Sequence, residues 1–402
     1  MADAPREKIV IIGDGIAGAT AAVTIRKLTQ EPEITILTDE GEPLYNRVGI
    51  KDFAKAVKAE EKVKIHDLQF YDKNGVDLRL HTPVRNIDDT NKVVITEDRQ
   101  HFPYDKLLIA AGGSPRRLPV PGADAENVHT FWTFVDARKL RAAAEEADTG
   151  VAIGAGLLGI DFAAVFAKHG VQTKYVMRGD RWWREGVSKQ GSQIVEKALK
   201  DLGVECVFHE TPKEFELDET GARATALVTE KGSKFPMDMA GVAVGLNFHT
   251  KLTQGTKIKK GEGILADSYL ETSVPGVWTA GDIAQYYDVI LERVHMNGSW
   301  ANAKRQGEVA GLNIAGQKTE FRFVDIYSVD HFDFMVGSVG SVVAEWEIEG
   351  VIAENSYLRL VGKGNRLVGA AVTGKAFVLQ GHIKRLVFNK TDVSGVKDQM
   401  VQ

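Results

Sequence analysis

The chain has one cysteine, Cys206, among 402 residues. That excludes an internal disulfide framework, a cysteine-ligated iron–sulfur cluster and a Cys-x-x-Cys redox pair. Long apolar runs are also missing. The longest, Val151 to Ala167, contains Asp161 and several glycines, and it is shorter than the roughly 20 residues that a membrane helix needs. There is no basic excess of the kind a nucleic-acid binder carries: 50 Lys and Arg stand against 55 Asp and Glu, a formal net charge of -5. The 10 histidines show no paired spacing of the sort that holds a metal. The N-terminus, Met1 to Lys8, is polar and runs directly into an apolar segment, unlike a signal peptide. These absences set the expectation of a cytoplasmic protein with no metal, nucleic-acid or membrane association. The length is too great for one core, so two or three domains are expected.

Glycine is plentiful, 40 residues, and two clusters are informative. Gly13-Asp14-Gly15-Ile16-Ala17-Gly18 follows the apolar run Ile9-Val10-Ile11-Ile12. Gly154-Ala155-Gly156-Leu157-Leu158-Gly159 follows Val151-Ala152-Ile153. Each reads as a buried strand, a tight turn and a helix. The first glycine allows the turn, the second lets backbone approach a pyrophosphate, and the third lets helix pack on strand. One such match is weak; two in strand-to-helix context imply two nucleotide cofactors. The natural pair is a flavin dinucleotide and a nicotinamide dinucleotide exchanging a hydride.

A ribose-binding acidic residue belongs roughly 20 positions beyond the glycines. In the first unit Asp39 meets that spacing, with Glu40 beside it, and Asp39 is favoured. In the second unit the same place holds Met177 and then Arg178, with Arg184 following. No carboxylate ends that strand. An arginine cluster suits a 2′-phosphate, which makes NADPH a candidate alongside NADH; Arg178, Arg181 and Arg184 in a merely solvated loop is the alternative.

The opening reads as strand, turn, helix (Ala19 to Leu28) and strand (Ile34 to Leu37), and the second unit repeats it with a helix at Ile160 to His169 and a strand at Thr173 to Met177. Leu107 to Gly113 reads as a buried strand ending in glycines. The prolines of Pro115 to Gly122 mark a domain crossing, and a return is expected near Gly245. From about Phe321 short alternating strands are expected at Phe321–Val324, Phe334–Gly337 and Tyr357–Val361, followed by helical stretches around Phe377 to Val387. The fold class is α/β: two Rossmann-like dinucleotide-binding domains, for FAD and NAD(P), plus a C-terminal α+β interface domain. The expected boundaries are 1–116 with 245–318 for FAD, 117–244 for NAD(P)H, and 319–402 for the interface domain.

Further segments carry a resemblance. Tyr104 to Arg116 is similar to a family strand ending in Ala-Thr-Gly, with Ala111 where threonine is usual. Thr279-Ala280-Gly281-Asp282-Ile283-Ala284 resembles a second FAD motif, and Val242 to Leu246 a glycine strand returning to the FAD domain. Across nearly its whole length the chain resembles the FAD-dependent pyridine nucleotide-disulfide oxidoreductase superfamily. The likeness is to the branch without a redox disulfide: rubredoxin reductases, the N-terminal part of nitrite reductases and dioxygenase ferredoxin reductases. The resemblance implies that Asp282 bonds the ribityl chain and that Arg47, in Pro43-Leu44-Tyr45-Asn46-Arg47, faces the FAD phosphates. It implies that Lys51 lies close to the place of a lysine that approaches flavin N5. Asp161 stands in place of a glutamate, one methylene longer, that touches the nicotinamide carboxamide. Trp300 resembles a tryptophan near the flavin ring, a core tryptophan being the plainer alternative. The FAD contacts then comprise Gly13, Gly15, Ile16, Ala17, Gly18, Asp39, Glu40, Arg47, Lys51, Val84, Ala110, Ala111, Gly112, Gly281, Asp282 and Trp300. Those to NAD(P)H comprise Gly154, Gly156, Leu157, Leu158, Gly159, Asp161, Arg178, Arg184 and Gly245, with Lys51 and Asp161 as the catalytic pair.

The cysteine separates subfamilies. Thiol-dependent members place a cysteine after the second strand, and Tyr45 to Phe53 has none. Cys206, in the alternating run Gly203 to Phe208, reads as a small core residue. The expected activity is therefore hydride transfer from NAD(P)H to flavin, then electron transfer to a small protein such as a rubredoxin or ferredoxin. Lys304, Arg305, Lys384, Arg385 and Lys390 are candidates for a basic docking patch. Direct reduction of oxygen, a quinone or another small acceptor is the alternative enzyme reading. A flavin-bound signalling protein, as relatives resembling apoptosis-inducing factor are, is the alternative class. The oligomeric state stays open, a homodimer included.

Overall fold

The computed structural model describes residues 6–330 and 335–395. The chain divides into two compact units. The first comprises Met1–Asn46, Glu61–Ser114 and Asn247–Phe323, the second Arg47–Glu60, Pro115–Leu246 and Val324–Gln402.

The first unit is built on a five-stranded parallel sheet in the order Val277–Thr279, Lys106–Ile109, Lys8–Ile12, Glu33–Leu37, Val76–Arg79. The central strand is a β-branched run buried on both faces, as a parallel sheet requires. Its alternation divides the core. Ile9 and Ile11 join the helices Ile16–Leu28 and Trp300–Ile314 on one face, while Val10 and Ile12 join Ile87, Val94 and Ile264 from small accessory sheets, and Leu252 from the helical turn Thr250–Thr253, on the other. The two helices cross closely because α-carbons of Gly307 and Gly311 lie against Ala17 and Ala21, where a methyl group would collide.

The second unit repeats the plan. Its parallel sheet runs Val204–Val207, Gln172–Val176, Thr149–Ile153, Met239–Val242, Val128–His129. Ala152 and Tyr175 face a helical core with Ile160 and Phe162; Val151, Ile153 and Val176 face the antiparallel meander Pro212–Leu217, Ala224–Thr229, Lys234–Pro236. The unit also holds a five-stranded antiparallel sheet ordered Ile326–Asp330, Met335–Gly340, Arg366–Thr373, Ser356–Lys363, Trp346–Ala353. A helical turn, Gly374–Leu379, and the helix Gln380–Phe388 complete it. Val329, Val336, Tyr357 and Ala371 of this sheet share the core of the fingerprint helix.

Two sequence readings differ from the structure. Helix begins at Ile16, not Ala19, because the glycine turn leads straight into the first helical turn. Phe321 to Val324 forms no strand. Phe321 is buried, its ring edge-on to Tyr286 at 5.0 Å, and its N–H donates to Ser268 O at 2.7 Å. It is a core plug of the first unit, and the strand starts at Ile326. Phe334 lies outside the described residues.

Candidate functional site

Each unit carries one glycine cradle, and the two cradles are sterically alike. A Cβ on Gly13 would strike Ala110 O, and one on Gly18 would strike Gly13 O. A Cβ on Gly15 would have no atom within 4 Å. In the second unit Gly154 is pressed against Ala243 O and Gly159 against Gly154 O, while Gly156 again has nothing within 4 Å. In both cases, then, two glycines close the turn and the middle one leaves backbone open. Neither helix has a side-chain cap at its N-terminus; apart from the Gly159 N–H, which donates to Gly156 O at 3.1 Å, first-turn N–H groups are left for an incoming acceptor. Open backbone and unsatisfied N–H groups together fit a dinucleotide pyrophosphate.

Around the first cradle, Asp39 is exposed just past the end of its strand, and Glu40 accepts from Tyr45 Oη at 2.5 Å. Ala110 lies just past the neighbouring strand Lys106–Ile109 and is buried, with Ala111 half-buried and Gly112 at φ +58. Gly281, at φ +81, donates its N–H to Gln306 Oε1 at 2.6 Å, and Asp282 follows, half-buried, with its carboxylate near Gly298. Trp300 opens its helix and is half-buried. Val84 begins an accessory strand paired with Thr96 and packs at the edge of that core.

Sequence reading passed over Asp14, although a carboxylate inside a glycine turn is itself a signal. Its side chain is buried. Tyr71 Oη, from the helix Leu68–Lys73, donates to both carboxylate oxygens at 2.8 and 2.9 Å. Burial pushes its pKa up to about 7; the Tyr71 hydroxyl and the Leu44 N–H oppose the rise, and Glu40 adds to it. The phenol of Tyr71 is itself driven far up by burial and by the facing carboxylate.

In the second unit the structure joins two of the expected residues. Lys51 Nζ lies 3.5 Å from Asp161 Oδ1, with side chains 14% and 8% exposed. Lys51 comes from the helix Ile50–Ala54 and Asp161 from the first turn of the fingerprint helix. Asp161 also bears on Tyr327, whose phenol is driven up, first by burial and then by Asp161 and Asp325. Arg47 is engaged by Trp132: its Nη1 donates to the carbonyl at 2.6 Å and its guanidinium sits 5.5 Å from the ring centre. Gly245, at φ +105, accepts from the Arg116 N–H at 2.9 Å. Leu157 packs on the core and Leu158 is exposed.

Met177 is buried at the end of its strand, so no carboxylate stands there. Arg178 and Arg184 are exposed and their side chains make no hydrogen bond or ion pair among the described residues. Arg181 is tied down by Asp180 at 3.0 Å and by Val187 O at 3.1 Å. Cys206 is half-buried on the edge strand of the sheet, and burial, helped by Glu196 and Glu205, pushes its thiol up to about 12. At neutral pH it is a protonated thiol with poor nucleophilicity.

Arg305 pairs with Glu308 at 2.6 Å, while Lys304 is exposed. Lys384, Arg385 and Lys390 belong to the other compact unit. Among the described residues no helix is long and apolar enough to cross a membrane, and no cluster of three or more His, Cys, Asp or Glu is placed to hold a metal.

Comparison with known proteins agrees with this geometry. The model of the family described as pyridine nucleotide-disulphide oxidoreductase matches residues 7–307. The chain is 24% identical over 382 residues to nitrite reductase [NAD(P)H] of Bacillus subtilis, covering 92% of this chain but only 46% of that protein. It is 25% identical over 395 residues to the 3-phenylpropionate/cinnamic acid dioxygenase ferredoxin–NAD(+) reductase component of Photorhabdus laumondii, covering 97% of this chain and 99% of the relative. Its fold matches a crystallised putidaredoxin reductase–putidaredoxin complex with a TM-score of 0.90 at 22% identity, covering 96% of this chain and 93% of that one. The chain therefore belongs to the pyridine nucleotide-disulphide oxidoreductase family, whose members are FAD-dependent and use NADH or NADPH.

Proposed function

We propose that this chain is an electron-transfer reductase that takes hydride from NAD(P)H and delivers electrons to a small redox protein of the ferredoxin or rubredoxin type. The observation that carries the reading is the pair of like glycine cradles in a chain whose one thiol, Cys206, is a poor nucleophile. The bound flavin supplies hydride acceptance and one-electron release.

The chain's own residues then divide the work. In the FAD domain, 1–116 with 245–318, Gly15, Ile16, Ala17 and Gly18 hold the pyrophosphate, while Gly13, whose N–H donates to Leu37 O, closes the turn. Asp39 takes a ribose there, Asp282 the ribityl chain, and Val84, Ala110, Ala111, Gly112 and Trp300 line the rest. In the NAD(P)H domain, 117–244, Gly156, Leu157 and Leu158 do the same for the nicotinamide dinucleotide, while Gly154 and Gly159, whose N–H groups donate to Val176 O and Gly156 O, close the turn, with Gly245 at the return. Lys51 and Asp161 fix the nicotinamide end: the carboxylate accepts from the carboxamide while the ammonium compensates its charge. The C-terminal domain, 319–402, presents the surface to partners.

The test is anaerobic. NADPH and NADH should each bleach the purified yellow protein, and a ferredoxin or rubredoxin should restore its colour faster than oxygen or a quinone. Rapid reoxidation by oxygen or quinone with no carrier reduction would replace this reading with that of a small-acceptor reductase. Absence of bleaching would make the protein a flavin-bound non-enzyme.

A further inference from the structure

The loop between the strand Gln172–Val176 and the helix Lys189–Asp201 bears the arginines of the second cradle, and it is held from two sides. On one side Trp183 donates its N–H to Ala155 O, inside the glycine fingerprint, at 2.8 Å. Trp182 donates its N–H to Ser192 Oγ at 2.9 Å. Both indoles are buried, and Trp183 sits at φ +43, a region that costs a bulky residue of order 1–3 kcal/mol and persists only where surroundings enforce it.

The enforcement comes from the antiparallel sheet near the C-terminus. Arg359 Nη1 donates to Glu185 O at 2.8 Å, Gly186 O at 3.1 Å and Val342 O at 3.3 Å. Its Nε donates to Glu347 Oε2 at 3.0 Å, and Nη2 donates to the same carboxylate. The side chain is only 14% exposed. Two residues earlier on the same strand face, Tyr357 Oη accepts the Ser188 N–H at 3.2 Å and donates to the Glu349 carboxylate. The Tyr357 ring fills the space where a Cβ on Gly191 would stand. Glu347 and Glu349 occupy alternate positions of the neighbouring strand, so both anchors share one sheet face. Three backbone groups of the loop, the carbonyls of residues 185 and 186 and the amide of residue 188, thus end on two side chains more than 160 residues away in sequence.

We propose that Arg359, backed by Tyr357, is a positioning residue for nucleotide selectivity: it fixes the arginine loop so that Arg178 and Arg184 present their guanidinium groups to the 2′-phosphate of NADPH. The proposal rests on the reading of the second cradle as the nicotinamide dinucleotide site. It requires a rigid loop, because a planar guanidinium gains bidentate phosphate bonds only when its backbone is fixed. Deleting Arg359 frees the carbonyls of residues 185 and 186 and lets Trp183 relax. The arginines then sample many positions, while the groups that hold the common part of NAD(P)H stay in place.

The experiment is calorimetric titration of the oxidised holoenzyme with NADP+ and NAD+, for the native chain and for Arg178→Ala, Arg359→Ala, Arg359→Lys, Tyr357→Phe and the Arg178→Ala/Arg359→Ala double variant. Arg359→Ala should weaken NADP+ about tenfold, the scale of one charge-assisted bond, and change NAD+ less than about twofold. Arg359→Lys, which cannot bridge two carbonyls and a carboxylate together, should show most of that loss, and it keeps the test valid if the alanine variant fails to fold. In the Arg178→Ala background, Arg359→Ala should have less than its full effect, the remainder acting through Arg184. Equal weakening of NAD+ and NADP+, or full additivity in the double variant, would make Arg359 merely structural and overturn the proposal. Selective loss of NADP+ binding in Arg178→Ala with none in the Arg359 variants would overturn it alone. No effect of Arg178→Ala on NADP+ would overturn the reading of the arginine loop as well.

Discussion

Replacing Asp14 by asparagine should stabilise the protein strongly at pH 8 and hardly at all at pH 5. In the folded chain the carboxyl titrates at about 7 instead of its ordinary 3.8, chiefly through burial. At about 1.4 kcal/mol per pH unit, that rise corresponds to about 4 kcal/mol of discrimination against the charged form. The sign follows from the direction. A raised folded-state pKa means that this group's contribution is fully present below about pH 4, declines as the pH rises, and is lost once the pH passes about 7. Asparagine is neutral throughout, so the cost of a buried charge disappears at pH 8. Asparagine still offers one oxygen to the Tyr71 hydroxyl and turns an amide toward the phenol oxygen, at a cost of about 1 kcal/mol from poorer geometry. The net gain at pH 8 is then about 3 kcal/mol; at pH 5, where the native group has already lost about 1.7 kcal/mol because the unfolded carboxyl is ionised, the gain shrinks to under about 1 kcal/mol. At roughly 2–4 °C per kcal/mol, the midpoint should rise by about 6–12 °C at pH 8. Thermal unfolding followed by circular dichroism between pH 5 and pH 8 measures it. A variant whose midpoint differs from the native one by a constant amount across that range, or which is less stable at pH 8, would refute the reasoning.

Tyr71→Phe acts in the opposite sense: it strips the hydroxyl from a buried carboxylate and should cost about 1–3 kcal/mol at pH 8 and less at pH 5, again read from unfolding midpoints. In the second cradle, Gly156→Ala should fold with a native midpoint but lose nicotinamide dinucleotide affinity in a titration, since its methyl enters open space; Gly159→Ala should fail to fold, since its methyl strikes Gly154 O. Lys51→Met leaves Asp161 buried without its cation and should destabilise the protein by about 3 kcal/mol while slowing flavin reduction in stopped flow. A full native rate of reduction in that variant would remove Lys51 from the catalytic pair.

The fingerprints were legible in the sequence because steric necessity writes them there. Gly13, Gly18, Gly154 and Gly159 each sit where a methyl group would meet a carbonyl oxygen, so few other residues are compatible with the turn. The strands were legible because a parallel sheet buried on both faces demands runs such as Ile9 to Ile12. What was hidden depends on tertiary approach. Asp14 and Tyr71 are 57 positions apart, so nothing local announces that pair, and nothing local announces the ion pair of Lys51 with Asp161, 110 apart, although the resemblance implied a role for each residue. Phe321 looked like strand because an aromatic, alternating run is also what a core plug looks like before its neighbours are known. The Arg305–Glu308 pair is different: an i,i+3 ion pair on a helix is a local pattern, and it takes Arg305 out of the free basic charges.

The central claim is that the flavin is the sole redox centre of the chain. An anaerobic reductive titration with NADPH, monitored by flavin absorbance alongside a thiol count, tests it directly. The account predicts complete bleaching at one equivalent of NADPH per flavin, with one free thiol per chain before and after, and the same endpoint in Cys206→Ser. A requirement for a second equivalent, abolished in Cys206→Ser, would place a thiol in the electron path and contradict the account.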